Sequence, residues 1–353
     1  MLETEPIGSI PRPPELIEAA GALAAGEIDR SAMDELAEWA LRDTIARFEA
    51  TGSPVVADGE QTKSSFVTYP LDGLTTLAAG GAVIPFADGH TRQLPQLSGG
   101  PFRYAHYADE YLARARGLTD LPVKQAVIAV SALSLLYPSE ELDGYGRDRF
   151  TADLVDEGAA DIRRCLDAGA HKVQIDFTEG RLALKLDPSG ELLRQFVSLN
   201  NAVLDRFSDA ERARIGVHTC PGGDQDSTHS ADVPYDALLP ELFRLRAGNF
   251  YLQLASESDR VATLRTIAEH LPADATAFVG VIDPIDPRVE TPEEARDRLL
   301  EAAEHLPVDR LGSCDDCGFS PFGDDLSTSR DTAFAKISAR VEGTRLASDV
   351  LGV

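Results

Sequence analysis

Short runs of β-branched and apolar residues alternate along the chain with longer stretches whose apolar positions recur every three or four residues. The runs Val55–Ala57, Val123–Val130, Lys172–Ile175, Ile215–Val217, Phe250–Leu254, Ala277–Ile282 and Arg310–Gly312 read as strands. Helical spacing marks Asp29–Ala50, Arg147–Ala168, Gly190–Ser208, Tyr235–Arg246, Ser258–His270 and Pro292–Glu304. Such alternation predicts βα units around a parallel sheet. The segment Pro6–Ser9, ahead of the first helices, supplies an eighth strand. Only Thr75–Tyr104 breaks the rhythm: Gly80-Gly81, Pro85, Gly89, Pro95 and Gly99-Gly100 make it a hairpin-like excursion. The expected fold is a single (β/α)₈ barrel over residues 1–353. Periodicity alone also allows an open doubly wound sheet, but no Gly-x-Gly-x-x-Gly follows an early strand and no Walker loop is present, which weighs against nucleotide-binding versions.

Composition narrows the partners. The 59 acidic residues against 33 basic ones give a net charge of −26, which repels phosphate backbones and anionic lipid and argues against nucleic-acid and membrane partners. A composition rich in Ala, Asp, Glu and Arg accounts for that charge equally well, so it says little about the substrate. No apolar run approaches the roughly 20 residues that span a bilayer. The start, Met1–Arg12, is acidic and Pro-rich rather than signal-like, so a cytoplasmic protein is expected. Small molecules are the expected partners, with a homodimer admitted. Four cysteines are too few for a disulfide framework. Cys165 falls in an amphipathic helical pattern and reads as a small core residue, whereas Cys220, Cys314 and Cys317 sit in polar turns after apolar runs.

Reactive side chains gather where the strands end. Val55–Ala57 runs into Asp58-Gly59-Glu60-Gln61, Lys172–Ile175 into Asp176, Ile215–Val217 into His218-Thr219-Cys220, and Arg310–Gly312 toward Cys314-Asp315-Asp316-Cys317. In a (β/α)₈ barrel those ends converge on one mouth, where active sites lie. His218 and Cys220, two residues apart on a strand end, project the same way. With Cys317 from another strand they would offer the nitrogen and sulfur donors that zinc takes. A redox pair of Cys314 and Cys317 is the rival reading. Glu60 and Asp176 could bind an amine or act as acid and base.

At these positions the sequence resembles the catalytic barrel of the cobalamin-independent methionine synthase family. The motifs that carry the likeness are, in order, Ile7-Gly8-Ser9-Ile10-Pro11-Arg12-Pro13, Asp58-Gly59-Glu60, Gln174-Ile175-Asp176, His218-Thr219-Cys220 and Asp316-Cys317-Gly318-Phe319. They span nearly the whole chain, and its length leaves no room for a second barrel, so a core-only member is expected. The resemblance implies a zinc ion on His218, Cys220 and Cys317, with Glu60 and Asp176 on the amino group of a thiol such as homocysteine and Gly8-Ser9 at its carboxylate. Three departures matter. Gln253 stands where the family carries a fourth, acidic ligand, although Glu257 is near; it is taken here as a substrate-side residue. Asp283-Pro284-Ile285 replaces an Asp-x-His acid, leaving Asp283, Asp286 or His229 to supply protons. No aromatic platform is evident: Trp39 lies on a helix, and Tyr137 and Phe319 read better as core. The resemblance therefore implies a zinc-dependent thiol methyl- or alkyltransferase with a non-folate donor. The alternatives are a lyase resembling the epoxyalkane–coenzyme M transferases, which makes or breaks a C–S bond, and a non-catalytic zinc- and thiol-binding barrel. A uroporphyrinogen-decarboxylase-like barrel would need clustered arginines, and Arg12, Arg181 and Arg288 are scattered.

Overall fold

The computed structural model describes residues 1–353. Seven parallel strands follow one another in the order Glu3–Thr4, Leu311–Asp315, Thr276–Ile282, Asn249–Leu252, Ile215–Thr219, Val173–Asp176 and Gln125–Ile128. The eighth position is a single parallel bridge between Val56 and Val123, extended by hydrogen bonds from Val56 to Pro122 and from Lys124 to Val56. The Ile10 amide donates to the Gly59 carbonyl, tying that position to the N-terminal segment and closing the barrel.

The first barrel strand is Glu3–Thr4, not Pro6–Ser9. Its flanking charges look solvent-facing in the sequence, yet Glu5 points into the barrel floor. There the Tyr251 hydroxyl donates to it at 2.6 Å and Lys172 Nζ at 2.8 Å, while Lys124 Nζ lies 3.5 Å away. Burial alone would raise the Glu5 carboxyl; the His171 hydrogen bond and the two lysines instead hold it well below the ordinary range. Pro6–Ser9 is thereby carried past the strand into the barrel mouth.

The last strand also runs further than its pattern suggests, through Asp315 rather than Gly312. Cys314 therefore lies within it, packed with Ile7, Tyr251 and Phe278 and donating to the Phe278 carbonyl at 3.3 Å. It does not face Cys317, so the redox pair is not formed. The expected helices are present with ends shifted by a few residues, but Val130–Ser134 is helical where a strand was expected to end, and Pro14–Ala25, Ala108–Arg116, Glu179–Leu186 and Arg330–Leu351 are additional. The Pro292–Ala303 helix starts with a capping box between Thr291 and Glu294. Thr291→Ala should lower stability by about 1 kcal/mol, read as a shift in the urea midpoint with unchanged slope.

The excursion forms two small antiparallel hairpins, Leu77–Ala78 with Gln96–Leu97 and Val83–Pro85 with Thr91–Gln93. It folds over the mouth: the Ala87 amide donates to the Thr228 carbonyl, and Arg92 pairs with Asp224 and Asp324. No helix is long and apolar enough to cross a membrane.

Candidate active site

Parallel pairing sets Asp176 directly beside His218 on neighbouring strands. Cys220 follows the His218 strand, and Cys317 stands two residues past Asp315. The Cys220 and Cys317 sulfurs are 3.1 Å apart, and the donor atoms of His218, Cys220 and Cys317 all lie within 4.8 Å of one another. Neither ring nitrogen of buried His218 has a partner in the protein. Buried polar groups are rarely left unpaired, so an imidazole with two free nitrogens beside two thiols is a donor set lacking its acceptor. One nitrogen and two sulfurs suit zinc, with a position open for substrate or water. The hydrogen bond with Cys220, reinforced by burial, pushes the Cys317 thiol well above its ordinary pKa. Without a cation the Cys317 thiol would stay protonated.

Asp316 fixes the loop that carries Cys317. Its carboxylate accepts from the amides of Leu254, Ala255 and Ser256 and from the Ser256 hydroxyl, all at 2.7–2.8 Å. Burial still pushes this carboxyl up to about 6.

On the other side of the metal ligands lie two buried carboxyls. Glu60 adopts φ +58°, its amide held by Asp58 and its carbonyl by Arg12. Its Oε2 has no partner. Burial pushes this carboxyl up to about 7; Lys63 opposes the shift, and Asp176 and Asp58 reinforce it. Asp176 accepts from Gln174 Nε2 at 2.7 Å and is raised by burial, against the pull of His218. Gly8 borders Glu60, and the Ser9 hydroxyl oxygen accepts from the Ser320 amide at 3.2 Å. A side chain at Gly318 would overlap Ser9, so that glycine lets the first and last loops meet.

Gly8, Ser9, Glu60, Asp176, His218 and Cys317 line one cavity of about 760 Å³. Its wall also carries apolar side chains, Leu16 and Ile17 with Phe66, Phe86 and Phe322, among charged ones such as Arg92 and Asp324. These phenylalanines come from loops without periodicity, so pattern reading missed them. Tyr137 packs on Phe150 and Phe319 lies in the core, while Trp39 is half-exposed on its helix, as expected.

Not every expected residue faces this cavity. Gln253 and Asp283 line a separate cavity of about 340 Å³ beyond Cys317. The Gln253 amide is already engaged, accepting from Arg181 at 3.0 Å and donating to Ser256 at 2.7 Å. Asp283 accepts from the Ile285 amide. His229 does line the large cavity, but as a base rather than an acid. The Ser230 hydroxyl gives its proton to the Pro221 carbonyl, so His229 Nδ1 must donate to Ser230 and Nε2 carries a lone pair. Burial, with Lys185 and Arg181 nearby, lowers its pKa to about 4. Lys63 and Glu179 also line the cavity. Their place three residues after Glu60 and Asp176 was the one signal in the sequence that could have found them.

Comparison with known proteins agrees with this architecture. The family model described as cobalamin-independent synthase, catalytic domain, matches residues 2–330. The chain is similar to the 5-methyltetrahydropteroyltriglutamate–homocysteine methyltransferases of Streptomyces avermitilis (28% identity, 92% of this chain) and Mycobacterium tuberculosis (26%, 90%). It spans about 40% of the length of these relatives. Among solved structures it is similar to a B12-independent methionine synthase from Shewanella sp. W3-18-1 in complex with selenomethionine, with a TM-score of 0.77, 19% identity and full coverage of both chains. It is also similar to a putative vitamin-B12-independent methionine synthase from Listeria monocytogenes, with a TM-score of 0.73, 19% identity and 99% coverage of each chain. At that identity the likeness shows the barrel fold. The chain thus belongs to the cobalamin-independent synthase catalytic-domain family.

Proposed function

We propose that this barrel is a zinc-dependent transferase that moves a methyl or other small alkyl group onto the sulfur of an amino-thiol in the cytoplasm. The observation that carries the reading is the His218, Cys220 and Cys317 donor set opening onto the same cavity as Glu60 and Asp176. Zinc held by those three side chains would lower the pKa of an incoming thiol and make it nucleophilic at neutral pH. The other steps rest on the chain's own residues. Glu60 Oε2, buried and unpartnered, is placed to receive an ammonium group together with Asp176. Gly8 and Ser9 would border the acceptor's carboxylate. Phe66, Phe86 and Phe322 on the cavity wall would pack against the alkyl donor, and holding both reactants in one cavity would supply much of the rate.

The relatives' printed name makes homocysteine the first acceptor to test. Incubation of the zinc-loaded protein with homocysteine and a panel of methyl donors should yield an S-methyl product by mass spectrometry. Binding of homocysteine by calorimetry with no product from any donor would instead favour a thiol-binding barrel. A simple adduct or an alkene would favour the lyase.

The pH dependence follows from Glu60. An ammonium group needs the carboxylate form, and Glu60 ionises near 7. The acceptor KM should therefore fall as pH rises through about 7. Glu60→Gln removes the charge and one charge-assisted hydrogen bond of roughly 1.5–3 kcal/mol, so KM should rise about 10- to 100-fold and lose that pH dependence. An unchanged KM profile would remove Glu60 from the acceptor site.

A further inference from the structure

One group on the cavity wall has no part in the scheme above. Glu179, at the start of the Glu179–Leu186 helix, is 5% exposed and lines the large cavity. Its Oε1 accepts from the Ser131 hydroxyl. Asn200 Nδ2 in turn donates to Ser131 Oγ at 2.6 Å. An amide nitrogen can only donate, so the Ser131 oxygen is the acceptor there and its own proton is directed to Glu179. This relay fills Oε1 as an acceptor. Any proton on the Glu179 carboxyl must then sit on Oε2, which has no partner in the protein.

We propose that Glu179 is the proton donor of the transfer reaction, presenting the proton on Oε2 to the donor atom from which the alkyl group leaves. This rests on the alkyl-transfer reading given above. None of the expected acids can fill the role from where it stands: His229 Nε2 carries a lone pair, Asp283 lines the neighbouring cavity, and Asp286 lines neither and accepts from the Arg288 amide. Burial, against the Ser131 hydrogen bond and with the Asp176 charge reinforcing it, pushes the Glu179 carboxyl up to about 8. It is therefore an acid at neutral pH. Its immediate neighbours from other elements are neutral: Ser131, Asn200, and Leu238, which packs against Gly180. The buried charged or titratable groups that share the cavity wall with it include Asp176, Glu60, Lys63, Arg12, His218 and His229, with half-buried Cys317.

The step balances for a donor bearing its methyl group on a tertiary amine. The acceptor thiolate, whose own proton has gone to solvent, uses a sulfur lone pair to form the S–C bond. The electron pair of the breaking C–N bond goes to nitrogen, which takes the Glu179 proton and departs as a secondary amine. Glu179, left as carboxylate, regains a proton from solvent before the next turnover.

The test compares wild type with Glu179→Gln, which keeps the size and the acceptor for Ser131 but cannot release a proton. Homocysteine is the acceptor, with two kinds of donor: a set of N-methyl amines headed by 5-methyltetrahydropteroyltriglutamate, and methyl iodide, whose iodide leaves without a proton. With the amine donor, kcat should fall about 10²-fold or more, and the wild-type decline in rate as pH rises through about 8 should vanish. The loss with methyl iodide should be at least about tenfold smaller, as expected for a group whose contribution is proton delivery. Infrared difference spectra of wild type against the variant should show a protonated carboxyl at neutral pH. An ionised Glu179, or equal losses with both donors, overturns the proposal. So does a wild type that alkylates homocysteine from methyl iodide but from none of the amines, while thiol activation would stand. A wild type inert toward both donors overturns the transfer reading itself.

Discussion

Cys317→Ser is expected to strip the protein of zinc and abolish alkyl transfer. The three donors sit within 4.8 Å of one another, and no other His, Cys, Asp or Glu joins them. A serine hydroxyl is a harder, far less acidic group than a thiol and does not ionise near neutrality, so the substitution leaves one nitrogen and one sulfur. Losing a supporting hydrogen bond to a metal ligand already costs about 10- to 100-fold in affinity, and losing a ligand should cost more. Metal content after dialysis against a weak chelator provides the measurement. Cys314→Ser is the informative control, because that thiol points at the Phe278 carbonyl inside the barrel and should retain its zinc. Near-stoichiometric zinc in Cys317→Ser would remove the central claim. Zinc lost from both variants would return Cys314 to the metal site.

The metal ligands were legible because a strand end is written locally: an apolar run followed by His218-Thr219-Cys220 or by Asp316-Cys317 announces both the element and its polar end. The barrel itself follows from the same alternation, repeated. What the pattern could not convey is depth. Glu5, Lys124 and Lys172 carry charges that belong on a surface by composition, yet they neutralise one another inside the floor. Such charges make Pro6–Ser9 read as the first strand in place of Glu3–Thr4, and the polar run Ser313-Cys314-Asp315 makes the last strand read as ending at Gly312. The cavity's phenylalanines and Glu179 were hidden for another reason. Phe66, Phe86 and Phe322 come from three loops far apart in sequence, and a loop has no period to read. Glu179 looks like an ordinary first-turn carboxylate, well placed for a helix dipole. Only its contact with Ser131, 48 residues away, separates it from that role.

Gly280→Ala, far from the metal ligands in sequence, should be nearly as damaging as losing one of them. Gly280 lies in the strand Thr276–Ile282, where a methyl group would overlap Asp316 Oδ1 and come within 3.1 Å of the Leu254 amide nitrogen. Both are fixed. Oδ1 accepts from Leu254 and Ala255, and Oδ2 from the Ser256 amide and hydroxyl, so the carboxylate cannot swing aside without breaking charge-assisted bonds in a buried site. Overpacking alone costs about 1–3 kcal/mol, and each lost bond to a charged group adds to it, so a destabilisation of at least about 3 kcal/mol is expected in urea. The functional effect runs through the adjacent residue: moving Asp316 moves Cys317, and a displacement of about 1 Å in a reacting site can cost about 10²-fold in rate. Zinc content should therefore fall along with activity. The double variant Gly280→Ala with Asp316→Ala separates the two effects, because removing the carboxylate relieves the overlap. If the clash is the cause, the double variant is less destabilised than the two single losses added together, while its zinc affinity stays low because the loop has lost its anchor. Additive stabilities would place the cost in the strand itself, and full zinc in Asp316→Ala would show that Cys317 is held without the Asp316 clamp.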